Sequence, residues 1–541
     1  MLQSRLTHWA TVAPDRLAVA VSGELTYAQL FARASSLIDW EPGAVVAIRF
    51  SNSVDFACAY VAGILSGATI AILDPAWPKL QLERVISRLA PDVILTDPTE
   101  ACWTGSSWQG TLRDLSPVAG SRPLRSLDET SRFLIAFTSG TTSEPKGYSR
   151  TRRSWEVSLL ASELVLEAGE GIVTLAPGPM AHGVTLYALT EALFSGGTFI
   201  SMPKFDPSQL VELAEAYGAT RFVGVPTHYR RFPENGSWLR DMKTFVSGGE
   251  KLTPETARRV LVAAPDASII EYYGASELSF VSYQRWVTGE QTLARTQFPE
   301  EETDVAGTIP FPGVEIEIRA VSGTSGFSKT RESGGSSEPG GSREPGGSRE
   351  SGGSPESGGS SESGGSPEHD PGQDGVPDGE CGVIWVRSEL VIEGYLSEQN
   401  SGFRRDGDWV TVGDLGRMVG GRLEIVGREG GMVTVGGNNV YLSEVEEALV
   451  SHPALSSATV VAVPDAMKGQ TLHAVLLADE AAALVKADLL SHLAQRLPKY
   501  KVPAHFHTAE SWPLAASGKI DRKALRIRCS EGVDEWKPDE H

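Results

Sequence analysis

Apolar runs of strand length alternate with longer amphipathic stretches through the first half of the chain. The runs include VVAIRF, TIAIL, DVILT, FLIAF, GIVTL, RFVGV and SIIEYYG, and the stretches between them are rich in Ala, Leu and Glu. Continuous apolar runs are typical of parallel strands buried on both faces, and helix-length crossovers connect such strands. The pattern predicts an α/β fold made of βαβ units, with mainly parallel sheets flanked by helices.

One apolar run needs a separate interpretation because it approaches the length of a membrane span. From Phe56 to Leu73 there is no charged residue, and a span of about 18 residues is the lower limit for crossing a bilayer. Gly63 and Gly67 interrupt the run, and the β-rich TIAIL precedes Asp74. These breakers predict a buried helix, a turn and a parallel strand, with no membrane span.

The composition changes abruptly over residues 321–380, where Gly, Ser, Pro and Glu dominate. Glutamates recur every six residues from Glu332 to Glu368, each near a Gly-Gly-Ser. Such a repeat is too polar to form a core, so it predicts a disordered insertion. The flanking segments VEIEIRA and GVIWVRS have strand patterns and are expected to pair with each other across the insertion.

A second change in composition begins at Gly427, after which glycines are frequent. Ser443 and Glu446 have the spacing of a helix capping box, the strand SATVVAVPD follows, and the helix LLSHLAQRL comes next. We therefore expect a large domain over residues 1–426, which contains the insertion, and a small mobile α+β domain over residues 427–541.

Composition narrows the class of function. The 541 residues are 40% hydrophobic and carry a formal charge of −21, which disfavours nucleic acid and anionic membranes as partners. The four cysteines are widely spaced and show no metal-ligand motif, so we expect free thiols in a reducing compartment. The amino terminus lacks the apolar core of a signal peptide. These features predict a cytoplasmic protein.

The strongest local motif is FLIAFTSGTTSEPKGY, in which an apolar strand enters a loop of small, hydroxyl and basic residues. Glycine lets the backbone approach a ligand, exposed N–H and hydroxyl groups bind phosphate oxygens, and lysine adds a positive charge. The spacing differs from that of the GxxxxGK[ST] P-loop. A polyphosphate site is therefore predicted at Thr138, Ser139, Gly140, Thr141, Thr142, Lys146 and Gly147.

This loop resembles the phosphate loop of the adenylate-forming superfamily, which includes acyl-CoA synthetases, firefly luciferase and nonribosomal-peptide adenylation domains. Four further segments are similar and occur in the same order: EYYGASE, WVTVGDLG, IVGRE and SGKIDRKAL. SGGE, which begins at Ser247, is a weaker match. The resemblance covers nearly the whole chain apart from the insertion, and it implies a large α/β domain with a smaller β subdomain, followed by a mobile small domain.

The resemblance also implies a site for ATP and Mg²⁺. Tyr273 would stack on adenine, Asp414 and Arg428 would contact the ribose, and Glu277 would bind Mg²⁺, an ion that prefers carboxylate and phosphate oxygens. Lys519 would neutralise charge that builds up between the substrate carboxylate and the α-phosphate, and Thr138 would also take part in catalysis. The remaining nucleotide or CoA contacts would come from Gly248, Gly249, Glu250, Tyr272, Gly274, Ala275, Ser276, Gly436 and Gly437.

The acyl pocket is expected around APGPMAHGVTLY. His182 matches a histidine that many acyl- and aryl-CoA synthetases carry beside the acyl group. The other expected walls are mostly apolar: Met180, Gly183, Tyr187, Val225, Pro226 and Ser247. Amino-acid-activating relatives usually have an Asp here, and none lies between Pro179 and Tyr187. A simple carboxylic acid is therefore favoured as the substrate.

Three functions are compatible with this sequence. The favoured one is an acyl-CoA synthetase that forms acyl-AMP and pyrophosphate and then transfers the acyl group to coenzyme A. The alternatives are a stand-alone enzyme that loads an acyl-carrier protein and a nucleotide-binding scaffold without turnover. In relatives the small domain has two orientations, and here Gly430 and Gly431 replace the usual polar residues at the hinge. We expect these glycines to leave the resting orientation weakly held.

Overall fold

The computed structural model describes residues 1–37, 40–77, 79–97, 108–110, 127–138, 145–233, 237–288, 307–321, 375–397, 402–435, 438–465, 469–481, 484–497, 499–514 and 519–533. Most of the insertion predicted over residues 321–380 therefore lies outside the described residues. Within the described ranges, no helix is both long enough and apolar enough to span a bilayer.

The helices in the described ranges are mostly short and amphipathic. They are α1 (Leu2–Val12), α2 (Tyr27–Ser36), α3 (Val54–Ser66), α4 (Lys79–Leu89), α5 (Arg152–Val165), α6 (Gly183–Ser195), α7 (Pro207–Tyr217), α8 (Pro226–Arg230), α9 (Pro254–Ala263), α10 (Leu442–Val450), α11 (Ala478–Ala481), α12 (Lys486–Ala494) and α13 (Arg522–Ser530).

The strands alternate with these helices in the first half of the chain and follow one another directly in the middle. They are β1 (Leu17–Ala20), β2 (Glu24–Thr26), β3 (Val45–Arg49), β4 (Thr69–Ile72), β5 (Val93–Thr96), β6 (Trp108–Gly110), β7 (Arg132–Thr138), β8 (Lys146–Thr151), β9 (Val173–Leu175), β10 (Thr198–Ile200), β11 (Arg221–Gly224), β12 (Thr244–Ser247), β13 (Ser268–Ala275), β14 (Ser279–Trp286), β15 (Ile309–Pro310), β16 (Glu315–Arg319), β17 (Gly382–Arg387), β18 (Gly394–Tyr395), β19 (Arg404–Asp406), β20 (Trp409–Thr411), β21 (Asp414–Val419), β22 (Arg422–Arg428), β23 (Met432–Val435), β24 (Asn438–Tyr441), β25 (Ala458–Asp465), β26 (Gly469–Leu477) and β27 (His505–Ala509).

Two helix-flanked sheets form the body of the large domain. The first has the order β15-β14-β13-β12-β11-β9-β10-β1-β2, and the second has the order β18-β8-β7-β4-β3-β5-β6. The strands from β13 to β1 in the first sheet, and from β7 to β6 in the second, are parallel. The mixed α/β architecture with mainly parallel sheets, predicted from the alternating pattern, is confirmed.

The main core lies between these two sheets. Helices α3 and α6 are apolar on nearly every side and are buried along almost their whole length. They share one cluster with inward residues of both sheets, such as Ile48 and Phe199. The outer faces are covered separately, by α7 and α9 on the first sheet and by α4 on the second. Such two-sided burial is the reason that the parallel strands read as continuous apolar runs.

The uncharged run from Phe56 to Leu73 folds as the sequence predicts. The Ser53 side chain caps α3 by accepting a hydrogen bond from the Phe56 amide at 3.2 Å. The helix ends at Gly67, whose φ of 82° is a left-handed conformation that glycine adopts without strain. The chain then enters β4, which lies between β3 and β7. The run is therefore a buried helix, turn and strand.

A third sheet of antiparallel strands forms the smaller β unit of the large domain. Its order is β19-β20-β17-β21-β22, and β16 pairs with β17. The pairing Glu315↔Arg387 through Arg319↔Val383 is antiparallel. The prediction that the two flanks of the insertion pair with each other is therefore confirmed.

Deleting Thr330 to Asp370 is expected to leave ATP-dependent activity nearly unchanged. The reason is that the two described ends of the insertion already touch: Arg319 bridges to Gly375, and the Val376 amide donates to the Ile318 carbonyl at 2.9 Å. A shorter connection can therefore join them without moving β16 or β17. Pyrophosphate release by the deletion variant and by the full chain would be compared, with circular dichroism as the folding control. A large loss of turnover in a folded variant would contradict this expectation.

After β22 the chain forms the β23–β24 hairpin and then a three-stranded sheet, β25-β26-β27. One face of the three-stranded sheet packs against α10 and α12, and α13 covers the other face. The capping box predicted at Ser443 and Glu446 is wrong. Ser443 Oγ donates to the Val426 carbonyl, whereas Glu446 accepts from the Val460 amide and from Arg522. Both side chains therefore bond to residues distant in the sequence and are not available to cap the helix.

Candidate active site

Segments that follow three adjacent parallel strands come together at one edge of the first sheet. Val225 and Pro226 follow β11, the SGGE segment begins at the end of β12, and the segment Gly274 to Glu277 closes β13. Because β11, β12 and β13 are parallel neighbours, their carboxyl ends lie at the same edge. That edge is where open α/β sheets bind ligands.

Two side-chain contacts connect this edge to the carboxyl ends of β4 and β7 in the second sheet. His182 Nε2 lies 3.0 Å from Asp74 Oδ2, and Asp74 follows β4. At the second contact, the Tyr395 hydroxyl donates to Glu277 Oε1 and is also hydrogen-bonded to Thr138, the last residue of β7. The carboxyl edges of the two sheets therefore face each other across one cleft.

The donor and the acceptor of the hydrogen bond between His182 and Asp74 can be assigned. Burial alone would raise the pKa of Asp74, but hydrogen bonds from His182 and the Ala76 amide, together with the charge of Arg49, hold it below its usual value. Because the carboxylate accepts, the histidine Nε2 carries the proton. Asp74 thus fixes the orientation of a half-buried imidazole at the mouth of the expected acyl pocket.

Glu277, the expected magnesium ligand, lies in the turn between β13 and β14. Its Oε1 accepts from Tyr395, and no described residue donates to Oε2. Burial and the neighbouring Glu277 carboxylate raise the pKa of Tyr395, so its hydroxyl stays protonated and can only donate to the carboxylate. One carboxylate oxygen remains available to a metal ion, which fits the preference of Mg²⁺ for one or two carboxylates beside phosphate oxygens.

Asp414, the expected ribose ligand, begins β21 and is 7% exposed. The Tyr273 hydroxyl donates to its Oδ2 at 2.6 Å, and Arg428 Nε donates to its Oδ1 at 2.5 Å. Burial and the Asp414 charge raise the pKa of Tyr273. A carboxylate has about four acceptor positions, so Asp414 can still accept from two ribose hydroxyls while these two bonds hold it in place.

Two glycines in the predicted nucleotide segments are required by close packing. A Cβ on Gly274 would lie 2.1 Å from the Ser279 carbonyl oxygen across the β13–β14 hairpin, and a Cβ on Gly248 would lie 2.2 Å from the Tyr272 ring. Real Cβ atoms do not approach other atoms so closely. Gly249 adds a left-handed φ of 86°. These glycines therefore shape the backbone at the carboxyl ends of β12 and β13, on the first-sheet side of the cleft.

The predicted acyl-pocket residues divide into two groups. Gly183 is exposed, with no atom within 4 Å of the position a Cβ would occupy, and it leaves open space beside His182. Met180 and Ser247 are fully buried. Tyr187 is 8% exposed, its hydroxyl donates to Ser158 at 3.1 Å, and its ring packs edge-on to Trp155 and Phe280. Tyr187 thus anchors the wall behind the pocket with its hydroxyl directed into the core.

Part of the predicted phosphate and CoA machinery lies outside the described residues. Ser139, Gly140, Thr141, Thr142, Gly436 and Gly437 belong to this part. The described ends of the phosphate loop are in place, because Thr138 pairs in register with Lys146 and the Leu396 amide donates to the Gly147 carbonyl at 2.8 Å. Ser276 and Glu250 are exposed beside the cleft, and Ala275 is half-buried at the end of β13.

Lys519 lies on the small domain, between β27 and α13, and is exposed. It makes no hydrogen bond or ion pair with any other described residue. An ion pair connects the two domains elsewhere: Lys251 Nζ lies 2.5 Å from Glu447 Oε1, and both side chains are more than half exposed. Exposed pairs contribute about 1 kcal/mol or less, so this contact holds the small domain only weakly.

Sequence comparison identifies the family. The profile of the AMP-binding enzyme family matches residues 6–327, and that of the AMP-binding enzyme C-terminal domain matches residues 444–519. The chain belongs to the AMP-binding enzyme family. The first profile alone covers more than half of this chain, and both profiles contain motif residues described above.

Known relatives resemble this AMP-binding enzyme over nearly its whole length. The uncharacterized acyl–CoA ligase YhfT of Bacillus subtilis is 27% identical over 537 residues, which is 97% of each chain. The putative long chain fatty acid–CoA ligase VraA of Staphylococcus aureus (strain COL) is 25% identical over 95% of each chain. The ATP-bound crystal structure of MatB from Rhodopseudomonas palustris has the same fold, with a TM-score of 0.76, 24% identity and coverage of 98% and 99%.

Three polar residues of this AMP-binding enzyme were not assigned a role from its sequence. Asp74 and Tyr395 hold His182 and Glu277, respectively. Arg150 is buried and its guanidinium donates to Ser279 Oγ at 3.2 Å and to the Leu390 carbonyl at 2.6 Å, which braces the turn that contains Glu277. Burial lowers the pKa of Arg150 to about 10. Only Asp74 had a signal in the sequence, because it lies in the DPAWP segment that follows an apolar strand.

Replacing Tyr395 with phenylalanine is expected to lower kcat/KM for Mg-ATP about 10-fold, the effect of losing one hydrogen bond to a charged group. The carboxylate of Glu277 would lose the donor that orients it, so the Mg²⁺ concentration for half-maximal rate should rise. Tyr217→Phe is the matched control, because that hydroxyl donates to Glu24 Oε1 at 2.7 Å on an exposed surface far from the cleft. An unchanged Mg²⁺ dependence in Tyr395→Phe would show that the tyrosine does not position Glu277.

Proposed function

We propose that this protein is an ATP-dependent acid–thiol ligase that activates a carboxylic acid as acyl-AMP, releases pyrophosphate and transfers the acyl group to coenzyme A. The observation that carries the proposal is the pair of contacts made by Tyr395. They place the carboxylate of Glu277 beside Thr138, at the start of the loop predicted to bind phosphate. The names of the relatives YhfT and VraA agree with acyl-CoA ligation.

In the first step, the protein binds ATP along the facing carboxyl edges of the two sheets. Asp414 accepts hydrogen bonds from the ribose, and the loop from Thr138 to Gly147 supplies the hydroxyl, amide and lysine groups that bind the phosphates. Glu277 would hold Mg²⁺, which would offset the negative charge of the phosphate oxygens. The substrate carboxylate then attacks the α-phosphorus, and pyrophosphate leaves. Positioning and charge neutralisation supply most of the catalysis in such a transfer.

Lys519 acts on this step from the small domain. Its ammonium lies between the carboxylate and the α-phosphate when the small domain turns toward the cleft, so it stabilises the charge that develops between two anions. Its exposure and lack of bonds to other described residues leave it free to make that approach. In the second step the small domain turns again and presents the Gly436–Gly437 segment to the CoA thiol, which attacks the acyl carbonyl and displaces AMP.

The acid is a simple carboxylic acid with an uncharged body. The wall behind His182 is apolar and aromatic, with Met180, Tyr187 and Phe280 packed together. Gly183 leaves room at the entrance. His182, oriented by Asp74, lies at this entrance. An acyl-carrier protein as the thiol acceptor is the second candidate, since a carrier-bound phosphopantetheine presents the same thiol as CoA.

Pyrophosphate release from Mg-ATP would be measured with a panel of aliphatic, aryl and dicarboxylic acids, each with and without CoA. We expect release that depends on the acid, that CoA accelerates, and that yields an acyl-CoA detectable by mass spectrometry. Release that CoA does not accelerate, followed by acylation of a phosphopantetheinyl protein, would favour the carrier-protein function. ATP binding without release for any acid would overturn the proposal in favour of a nucleotide-binding scaffold.

A further inference from the structure

Three buried side chains with metal-binding atoms meet in the small domain, away from the cleft. His473 lies on β26, His507 on β27 and Cys529 on α13. Their exposed fractions are 7%, 3% and 4%, and one ligand atom from each lies within 4.8 Å of the other two. Cys529 is not in a disulfide. No motif spacing reveals this cluster, because the three residues come from three separate elements.

The register of the sheet brings the histidines to one face. β26 and β27 are parallel with His473 opposite His505, and His507 is two residues further along β27, so all three side chains are on the same side. The His473 ring stacks on both others, at 4.4 Å from His505 and 5.1 Å from His507. This is the face that α13 covers, and α13 brings Cys529 over the two buried imidazoles.

Hydrogen bonding fixes which nitrogen of His507 is available. Its Nδ1 lies 3.0 Å from the Val533 carbonyl oxygen, which can only accept, so Nδ1 carries the proton. In a neutral imidazole, Nε2 then presents a lone pair. That nitrogen lies 2.9 Å from Nδ1 of His473. A backbone carbonyl that holds one ring nitrogen while the other faces a cluster of ligands is the usual outer contact of a metal-bound histidine.

We propose that His473 Nδ1, His507 Nε2 and Cys529 Sγ form a zinc site that joins β26, β27 and α13. Two imidazoles and a thiolate are the N and S ligands that Zn²⁺ selects, with bonds of about 2.0–2.3 Å and ligand atoms about 3.3–3.8 Å apart in a tetrahedron. The present separations, 2.9 Å between the two nitrogens and no more than 4.8 Å across the cluster, lie on either side of these values. On binding, His473 changes tautomer, so that Nδ1 loses its proton, Nε2 gains one and the ring stays neutral. Only the thiol proton is released, and a water molecule would complete the tetrahedron.

The position of the site gives it a consequence for the enzyme. His507 and Cys529 lie on either side of the segment that contains Lys519, so a bound ion ties together both elements from which that segment extends. Zinc should therefore stabilise the Lys519 side of the small domain. This consequence rests on the proposed function, whereas zinc binding itself does not.

The test uses the full untagged chain, stripped of metal, and Co²⁺ as a spectroscopic probe. We expect one Co²⁺ per chain, with visible bands of tetrahedral cobalt and a thiolate-to-cobalt charge-transfer band, both removed by one equivalent of Zn²⁺. Cys529→Ser should lose the charge-transfer band, and His507→Gln should weaken binding at least 10-fold, as is usual when a ligand or its support is removed. Cys381→Ser, which changes an exposed cysteine on the large domain, is the matched control and should bind like the parent.

A second measurement needs no variant and so does not depend on variant folding. Zn²⁺ should protect Cys529 from alkylation, as read by peptide mass spectrometry, while Cys381 reacts at the same rate with and without metal. Absence of stoichiometric Co²⁺ binding by the parent chain, or a charge-transfer band retained in Cys529→Ser, would overturn the site. A loss of ligase activity in a chain that still binds metal would count against the proposed function and would leave the zinc site standing.

Discussion

Replacing Lys519 with alanine is expected to lower the rate of acyl-adenylate formation about 10²- to 10³-fold, the usual cost of removing one charge-stabilising donor from a transition state. The ammonium is proposed to act only when charge develops between the carboxylate and the α-phosphate, so kcat should fall while KM for ATP changes little. Thioester formation from pre-formed acyl-AMP should be nearly unaffected, because that half-reaction uses the other orientation of the small domain. Single-turnover assays of the two half-reactions separate these effects.

Lys523→Ala is the matched control for this experiment. Lys523 is also exposed, and it lies four residues further along, in the first turn of α13. It should retain both half-reactions, since only a long cation in the loop before α13 is placed to reach the cleft. Equal losses in both half-reactions of Lys519→Ala, or a similar loss in Lys523→Ala, would indicate a general disturbance of the small domain and would contradict the assigned role.

Replacing Asp414 with asparagine is expected to raise KM for ATP about 100-fold, because hydrogen bonds from a ligand to a charged group contribute about 1.5–3 kcal/mol each. Asparagine keeps the volume of the side chain but offers one acceptor oxygen in place of two. The NH₂ group of the asparagine must then point at either the Tyr273 hydroxyl or the Arg428 guanidinium. Because both of these groups are donors, one of them loses its acceptor. The variant should also melt at a lower temperature, since leaving the buried Tyr273 hydroxyl without an acceptor costs about 1–3 kcal/mol.

Deoxyadenosine triphosphates make the assignment of Asp414 specific. The parent enzyme should bind 2′-deoxy-ATP and 3′-deoxy-ATP more weakly than ATP, whereas Asp414→Asn should distinguish them much less, as in a double-mutant cycle. Asp408→Asn, a change at an exposed carboxylate in the turn between β19 and β20, should behave like the parent. If Asp414→Asn still discriminated fully against the deoxynucleotides, Asp414 would not contact the ribose.

Much of the large domain could be predicted because local pattern and element type agree there. Each quoted apolar run, from VVAIRF to SIIEYYG, contains a strand, and the run from Phe56 to Leu73 is a helix, a turn and a strand. A strand that is buried on both faces is apolar at successive positions, whichever strands lie beside it, so it can be recognised from the sequence alone. The ordered motifs likewise led to the family without any coordinates, since glycines, hydroxyls and a lysine at fixed spacing carry their own chemistry.

The local sequence pattern gave a wrong prediction where a residue distant in the sequence binds the side chain concerned. The capping box at Ser443 and Glu446 satisfied the local rule, yet Arg522, 76 residues away, takes Glu446, and the Val426 carbonyl takes Ser443. A capping box provides about 1 kcal/mol, so a charged hydrogen bond to a tertiary partner outweighs it.

The domain boundary at residue 427 and the weak hold at Gly430 and Gly431 stay predictions, to be checked by the distribution of interdomain distances.

The sequence by itself determined the strands, the parallel α/β class, the order of the motifs and the residue types of the site. Only the tertiary structure decided which side chains meet: Asp74 with His182 across 108 residues, Glu277 with Tyr395 across 118, and Tyr273 with Asp414 across 141. These pairs, like the cluster of His473, His507 and Cys529, depend on the order of strands in each sheet and on how the elements pack. Strand order is set by burial summed over the whole chain, and no local spacing records it.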